Sequence, residues 1–531
     1  MLFTSYSFIG FIGIVFLLYY TLPRSWQWPL LLAASYVFYF IASPSYLIFI
    51  GATTVSAYVV SLRLDALKEE QDAYIKANKG TLTREEKKAY KASVKARQWK
   101  WLLLCLLFNL GILAVLKYTN FVIANFNGIL SAFGSGGQLS FVDLVLPMGI
   151  SFYTFQTMGY IIDVYRGTSR AEKNLFRLAL FVSFFPQLVQ GPISRYHDLA
   201  RSLYERHDFN TKTVSYGLYR ILWGYFKKAV VADRILTAVN TIIQDPDTYQ
   251  GGFVFVGMMF YALELYADFT GGIDITIGIA ETMGITVTEN FQRPYLSKNI
   301  KEYWNRWHIT MGTWFTDYIF YPISVCKPML KLSRFSRAKF GDIIGKRVPV
   351  YLSSFAVWFT TGIWHGASWN FIVWGLMNFV VIMISQECEP LYQKFHNKFD
   401  VKEKKWYGFF EIIRTIFLMS SLRMFDCYRD VPLTFRMFGN MFTHFRLQDL
   451  NAEAFLGLGL TGADYVLLFV CLILLVSVSL IQEKKGSVRD LIYADPELCR
   501  YAVFFLLILA VVIFGAYGIG FDQSQFIYNQ F

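Results

Sequence analysis

Apolar residues in this chain fall in long blocks separated by short polar stretches, unlike the alternation of a half-buried strand or the stripe of a surface helix. The blocks recur from one end to the other at roughly bilayer length: 8–22, 28–41, 46–60, 101–116, 144–162, 214–231, 253–285, 348–361, 371–384, 409–421, 466–481 and 501–519. A segment in lipid must satisfy its own backbone, so blocks of this kind form helices, and the ten-residue alternation of a membrane barrel is absent. The pattern predicts an all-α polytopic membrane protein of roughly 11–13 spans. It reads as a single integral-membrane domain over 1–531, with a basic loop at 64–100 and C-terminal spans within 400–531.

Composition strengthens this reading and excludes a soluble class. Hydrophobic residues make up 55% of the chain and charged residues only 17%, with a mean hydropathy of +0.38. A globular core could not hide that much apolar surface. Residues 1–22 carry no basic residue before their apolar run and no small-residue cleavage site after it, so they read as the first span rather than a leader. The six cysteines form no CxxC pair and read as small apolar residues rather than a disulfide framework or metal knuckle.

The net charge of +12 has a topological explanation that requires no nucleic-acid partner. Residues 63–100 hold 11 lysines and arginines against six acids, and 326–348 hold seven against one. Short basic loops of this kind stay in the cytoplasm. The segments 121–143, 232–252 and 440–464 are poor in basic residues and are expected outside. Counting spans between these anchors puts the N-terminus, and with it the C-terminus, outside a cytoplasmic membrane. The 65–100 stretch reads as a solvated helical hairpin, with Thr83 and Glu86 spaced as a capping box.

Three regions place ionisable residues where apolar ones prevail. In 253–285, Glu264 and Asp268 are four apart and share a helix face, and Gly271–Gly272 is expected to loosen the helix before Asp274. These acids need partners: they pair with arginines of neighbouring spans, or they line a polar cavity or orient a histidine. The second region, 290–323, mixes Arg293, Lys298, Lys301, Arg306, His308 and Asp317 with many aromatics. It is too polar to cross lipid directly, which leaves a re-entrant funnel lining or an interfacial helix. The third, WFTTGIWHGASWNFIVWG at 358–375, sets His365 in an apolar stretch.

Burial favours the neutral imidazole, which can act as a base. Gly366 would allow close approach of another group, Trp364 and Trp369 would form walls with N–H donors, and Ser368 would lie one turn away. A buried histidine that only packs helices is the bland alternative. No HExxH, GxSxG or Walker sequence is present, so neither a zinc protease nor a serine hydrolase nor a nucleotide hydrolase is predicted. A transporter is the runner-up class, with Gly271–Gly272 as its broken helix, but no inverted repeat accompanies it.

These residues belong to longer strings: LPMGISFYTFQTMGYIIDVYRG (146–167), FVSFFPQLVQGPI (181–193), YADFTGGIDITIG (266–278), the 290–323 segment and the 358–375 segment. In this order they closely resemble the membrane-bound O-acyltransferases, and among them the bacterial branch with the alginate O-acetylation and teichoic-acid D-alanylation membrane subunits. The resemblance covers 146–375, with an echo in FIYNQF (526–531). The chain departs from the family pattern at Ser324–Pro328 and at 420–426, which lacks the usual FFR-type sequence.

The resemblance implies a helical core with re-entrant helices around a transmembrane tunnel, open to a cytoplasmic acyl donor and an outer acceptor. It implies His365 as the catalytic histidine and His308 as a second functional one. Trp304, Arg306, Trp307, Asp317, Trp364, Ser368, Trp369, Asn370 and Asp268 are the candidates for lining the tunnel. No permanently bound cofactor or metal is implied. The donor would be acetyl-CoA or an acyl-carrier thioester, and the acceptor a hydroxyl of an extracellular or cell-wall polysaccharide. An SGNH-type extracytoplasmic protein is an implied partner beside membrane lipids. D-alanyl transfer toward teichoic acid is the alternative, and a flippase or scaffold a weaker one.

Overall fold

The computed structural model describes residues 3–517 apart from 43, 45, 46, 135, 136 and 145. The closing 526–531 string lies outside the described residues. Among the described residues the chain is helical, with no strand and a single isolated bridge between Phe291 and Trp307. Among the described residues, six helices are long and apolar enough to cross a membrane: Leu47–Ala77, Arg84–Ala132, Gly252–Thr282, Trp369–Glu387, Gly462–Lys485 and Glu497–Phe514. The other apolar blocks fold as shorter helices, such as Tyr6–Thr21, Gln27–Ala42 and Ile150–Arg166, or lie inside Lys327–His365 and Lys405–Tyr428. The protein is therefore a multi-pass all-α membrane protein.

The chain divides into two compact units, Met1–Ser215 with Ile279–Thr288, and Tyr216–Gly278 with Glu289–Phe531. In the first, the basic loop is a helical hairpin. Thr83 and Glu86 close the expected capping box, Tyr74 and Tyr90 meet at 4.2 Å between ring centres, and Gln98 donates to the Leu64 carbonyl at 2.9 Å. Phe8, Phe38 and Phe185 interlock at 5.9 Å spacings in its core.

The second unit is built on close helix crossings made possible by glycine. The 252–282 helix runs unbroken through Gly271–Gly272, contrary to the expected break. A Cβ at Gly271 would lie 2.9 Å from the Gly224 carbonyl oxygen, and one at Gly278 would lie 2.8 Å from that of Gly217. The pair spaced seven apart thus lets two backbones touch, as small residues do in membrane helix pairs. Close approach brings the acids of one helix to lysines of the other. Lys228 binds Asp268 at 2.6 Å and Asp233 at 2.7 Å, while Lys227 binds Asp274 at 2.6 Å and Thr270 at 2.8 Å. Arg220 completes the array with Asp274 and Glu289. The partners are mainly lysines of the 226–232 π-turn rather than the arginines expected.

A second glycine-mediated pair joins Lys327–His365 to Trp369–Glu387. A Cβ at Gly362 would meet the Phe371 carbonyl oxygen at 2.6 Å, and one at Gly375 the Trp358 carbonyl oxygen at 2.4 Å. The basic part of the first helix, 327–346, folds around Gly341, whose φ of +82° glycine adopts without strain.

Candidate active site

The 290–323 segment crosses no membrane as a single helix. It is cut into the turn Pro294–Leu296, the helices Ile300–Arg306 and Ile309–Phe315, a π-turn at 316–320 and Tyr321–Ser324. Its first part doubles back on itself. Gln292 N–H donates to the Arg306 carbonyl and Ile309 N–H to the Asn290 carbonyl, both at 2.9 Å.

Within that fold His308 caps the 309–315 helix in a left-handed conformation, φ 48°, that costs a residue with a Cβ about 1 kcal/mol or more. Asn290 holds it there. Its side-chain oxygen accepts from Thr310 N–H at 3.1 Å and Thr310 Oγ1 at 2.9 Å, and lies 3.2 Å from His308 Nδ1. A backbone N–H can only donate, so the atom facing Thr310 and His308 is the amide oxygen, and Nδ1 carries the proton. Nε2 is then the nitrogen with the lone pair. His308 is 1% exposed. Burial, reinforced by the Arg423 charge, pushes its pKa down to about 3, so the ring is neutral at physiological pH.

His365 ends the 327–365 helix and is buried. Trp374 meets its ring edge-on at 4.7 Å, Trp364 at 5.0 Å, and Phe371 stacks at 6.3 Å. Trp364 also stands 6.0 Å from the His308 ring, so one indole borders both histidines. Gly366 has the expected use: a Cβ there would fall 2.2 Å from the Phe371 ring. Two expectations fail. Trp369 keeps 57% of its surface exposed, and the buried walls are Trp364, Phe371 and Trp374. Ser368 is not one turn from His365, because the helix ends there and the backbone is extended at Gly366 and Ser368. Ser368 instead donates to Asn370, whose amide reaches the Phe425 carbonyl at 3.1 Å.

The other candidates divide in two. Trp304 and Trp307 join the aromatic enclosure, Trp304 lying 6.0 Å from Trp374. Arg306 turns away to Glu302 and to Glu483, which it shares with Arg293. Asp317 is half-buried in the π-turn, and Asp268 belongs to the lysine array, although its neighbour Phe269 meets the His308 ring at 5.0 Å.

The residue missed from sequence is Arg423. It is buried, its guanidinium lies 4.9 Å from the Trp374 ring centre, 5.1 Å from Trp307 and 5.8 Å from Trp304, and it pairs with buried Asp426 at 3.0 Å. Three indoles around one cation fix each other's faces. Its signal was an arginine two residues past the apolar block 409–421, inside the segment noted only for departing from the family pattern. Asn290 gave no signal.

The chain belongs to the MBOAT, membrane-bound O-acyltransferase, family, whose model matches residues 169–426, a stretch holding both histidines and Arg423. It is 34% identical to the probable alginate O-acetylase of Pseudomonas aeruginosa over 71% of this chain and 64% of that protein. It is 28% identical to the peptidoglycan O-acetyltransferase of Helicobacter pylori over 73% of this chain and 70% of that one. Identity to the teichoic acid D-alanyltransferase of Bacillus subtilis is 28%, over 51% and 66%. The match thus spans just under two thirds of the length of the alginate relative.

Proposed function

We propose that this chain transfers an acyl group, acetyl in the first instance, from a thioester on the cytoplasmic side to a hydroxyl of an extracellular or cell-wall polysaccharide. The observation that carries the reading is the shared enclosure of two buried histidines, one of them held as a neutral ring with its Nε2 lone pair set by Asn290.

His365 takes the hydroxyl proton as the oxygen attacks the thioester carbonyl; the C–S bond breaks, the ester C–O bond forms, and the proton passes to the leaving thiolate. The indole N–H groups of Trp304 and Trp374 are buried without a partner and are the donors available to a developing oxyanion, in place of Trp369. His308 orients the donor or shares the proton, and Arg423 positions the indoles.

Acetyl-CoA as donor is supported by similarity to proteins named for O-acetylation, and D-alanyl transfer from a carrier protein is the second reading. In this reading the site lies in a cytoplasmic membrane with the N-terminus outside, and an SGNH-type extracytoplasmic protein is a partner. The test is transfer of labelled acetyl from acetyl-CoA to saccharide in membrane vesicles. His365→Ala is expected to lower turnover at least about a hundredfold with normal yield of folded protein. Turnover within a few-fold of wild type would overturn the assignment, and transfer only from an acylated carrier protein would select the second reading.

A further inference from the structure

The basic segment 327–347 is a hairpin whose first arm has three unlike faces. The arms meet at Gly341, Ser333 Oγ donates to the Gly345 carbonyl at 3.1 Å, and a Cβ at Gly345 would fall 2.4 Å from the Arg337 backbone nitrogen. Met329, Ser333 and Ser336, spaced i, i+4 and i+7, form the buried seam of the first arm. Lys327, Lys331 and Arg334 repeat that spacing on a second, exposed face. Leu332 and Phe335 make a third, exposed and apolar. Lys339 follows one turn on, its ammonium 5.9 Å from the Phe335 ring centre and 5.4 Å from that of Phe340.

Most of this charge is uncompensated. Among the described residues the hairpin's ion pairs are Lys346 with Asp342 and Arg347 with Glu387, and Lys327, Lys331, Arg334, Arg337 and Lys339 have no acid at ion-pair distance. Its apolar side chains are equally open: Phe335 keeps 59% of its surface exposed and Ile343 71%. From the second arm an exposed stripe runs on along the helix, where Ile344, Leu352, Phe355 and Phe359 share one face. Phe359 lies 15 positions from Ile344, about 22 Å at 1.5 Å per residue, which is most of a ~30 Å hydrocarbon core. A stripe of that length meets lipid along the helix and ends on the hairpin, at the depth of the headgroups.

We infer that the 327–347 hairpin lies in the headgroup layer of the membrane and gathers anionic phospholipids there. Leu332, Phe335 and Ile343 enter the acyl boundary while the cations meet the headgroups, the division of labour of an interfacial amphipathic segment. Five cations without acids favour a lipid of net negative charge over a zwitterionic one. A soluble acidic protein would answer the charge but leave Phe335 and Ile343 in water, and it would not account for the stripe that runs into the hairpin from the span. The inference does not depend on the acyl-transfer reading.

The test has two arms, both on the full chain in bilayers. In a chain without its native cysteines, nitroxide labels at Phe335→Cys and Ile343→Cys in phosphatidylglycerol nanodiscs are expected to be relaxed more by oxygen than by a water-soluble nickel chelate, and a label at Arg334→Cys the reverse. Nickel relaxation dominating at all three positions would overturn the inference and give this face to a soluble partner. The second arm compares spin-labelled phosphatidylglycerol with spin-labelled phosphatidylcholine as the motionally restricted lipid around the unlabelled chain. Phosphatidylglycerol is expected to be preferred at least about threefold, and the combined Lys327→Gln, Lys331→Gln and Arg334→Gln chain to lose about half of that preference or more. Equal association of the two lipids with the wild type, or an unchanged preference in a triple variant that elutes as folded protein, would also overturn it.

Discussion

Asn290→Ala isolates the local device that presents His308. Asn290 is fully buried, and its side-chain oxygen serves three donors: Thr310 N–H, Thr310 Oγ1 and His308 Nδ1. Each hydrogen bond contributes about 0.5–1.5 kcal/mol net, and donors left buried without an acceptor cost more. The substitution should therefore destabilise by roughly 2–4 kcal/mol and free the ring to change tautomer and leave its left-handed backbone. Turnover should fall by at least about tenfold. Asn290→Asp separates geometry from charge, because it keeps the acceptor and adds a negative charge beside the imidazole. His308 should then protonate more readily. In the wild type its folded pKa of about 3 lies below the ordinary 6.5. The stability that depends on a neutral His308 is thus complete above about pH 6.5 and is lost as pH falls toward 3. In Asn290→Asp that loss should shrink, while turnover should acquire a new decline on the acid side. Thermal unfolding in detergent and turnover between pH 5 and 8 measure both. An Asn290→Ala protein with wild-type melting and turnover, or an Asn290→Asp profile that superimposes on the wild type, would refute the positioning argument.

Arg423→Ala should destabilise by about 3–5 kcal/mol because it leaves Asp426 buried and unpaired. Replacing both residues with leucine should recover much of the melting temperature but not the turnover; recovery of turnover as well would show that the guanidinium does not hold the indoles. Gly271→Leu should abolish folded protein, since even a Cβ there falls 2.9 Å from the Gly224 carbonyl oxygen, and normal yield would contradict the close crossing. In a chain without its native cysteines, single cysteines at 65–100 or 331–346 should react with an impermeant maleimide only after the membrane is opened. Labelling in intact cells would reverse the orientation.

Class and medium were legible in the one-dimensional pattern, because the cost of exposing or burying apolar groups depends on how many there are and how long they run. The capping box at Thr83–Glu86 was equally legible, since both partners lie within one turn. His365 stood out because an ionisable group among apolar ones is costly wherever it lies, whereas His308, in a segment too polar to cross lipid, was singled out only by the family resemblance. What surrounds them was not legible. Asn290 reaches His308 across 18 positions, and Arg423 reaches Trp307 and Trp374 across more than 100 and about 50; no local spacing encodes such meetings. Gly271–Gly272 shows the same limit from the other side. A glycine pair weakens an isolated helix, yet here a second backbone packs against it and the helix continues. Propensity is a property of a segment and its solvent, whereas packing is a property of two segments, so only the tertiary structure could decide whether that glycine breaks a helix or joins two.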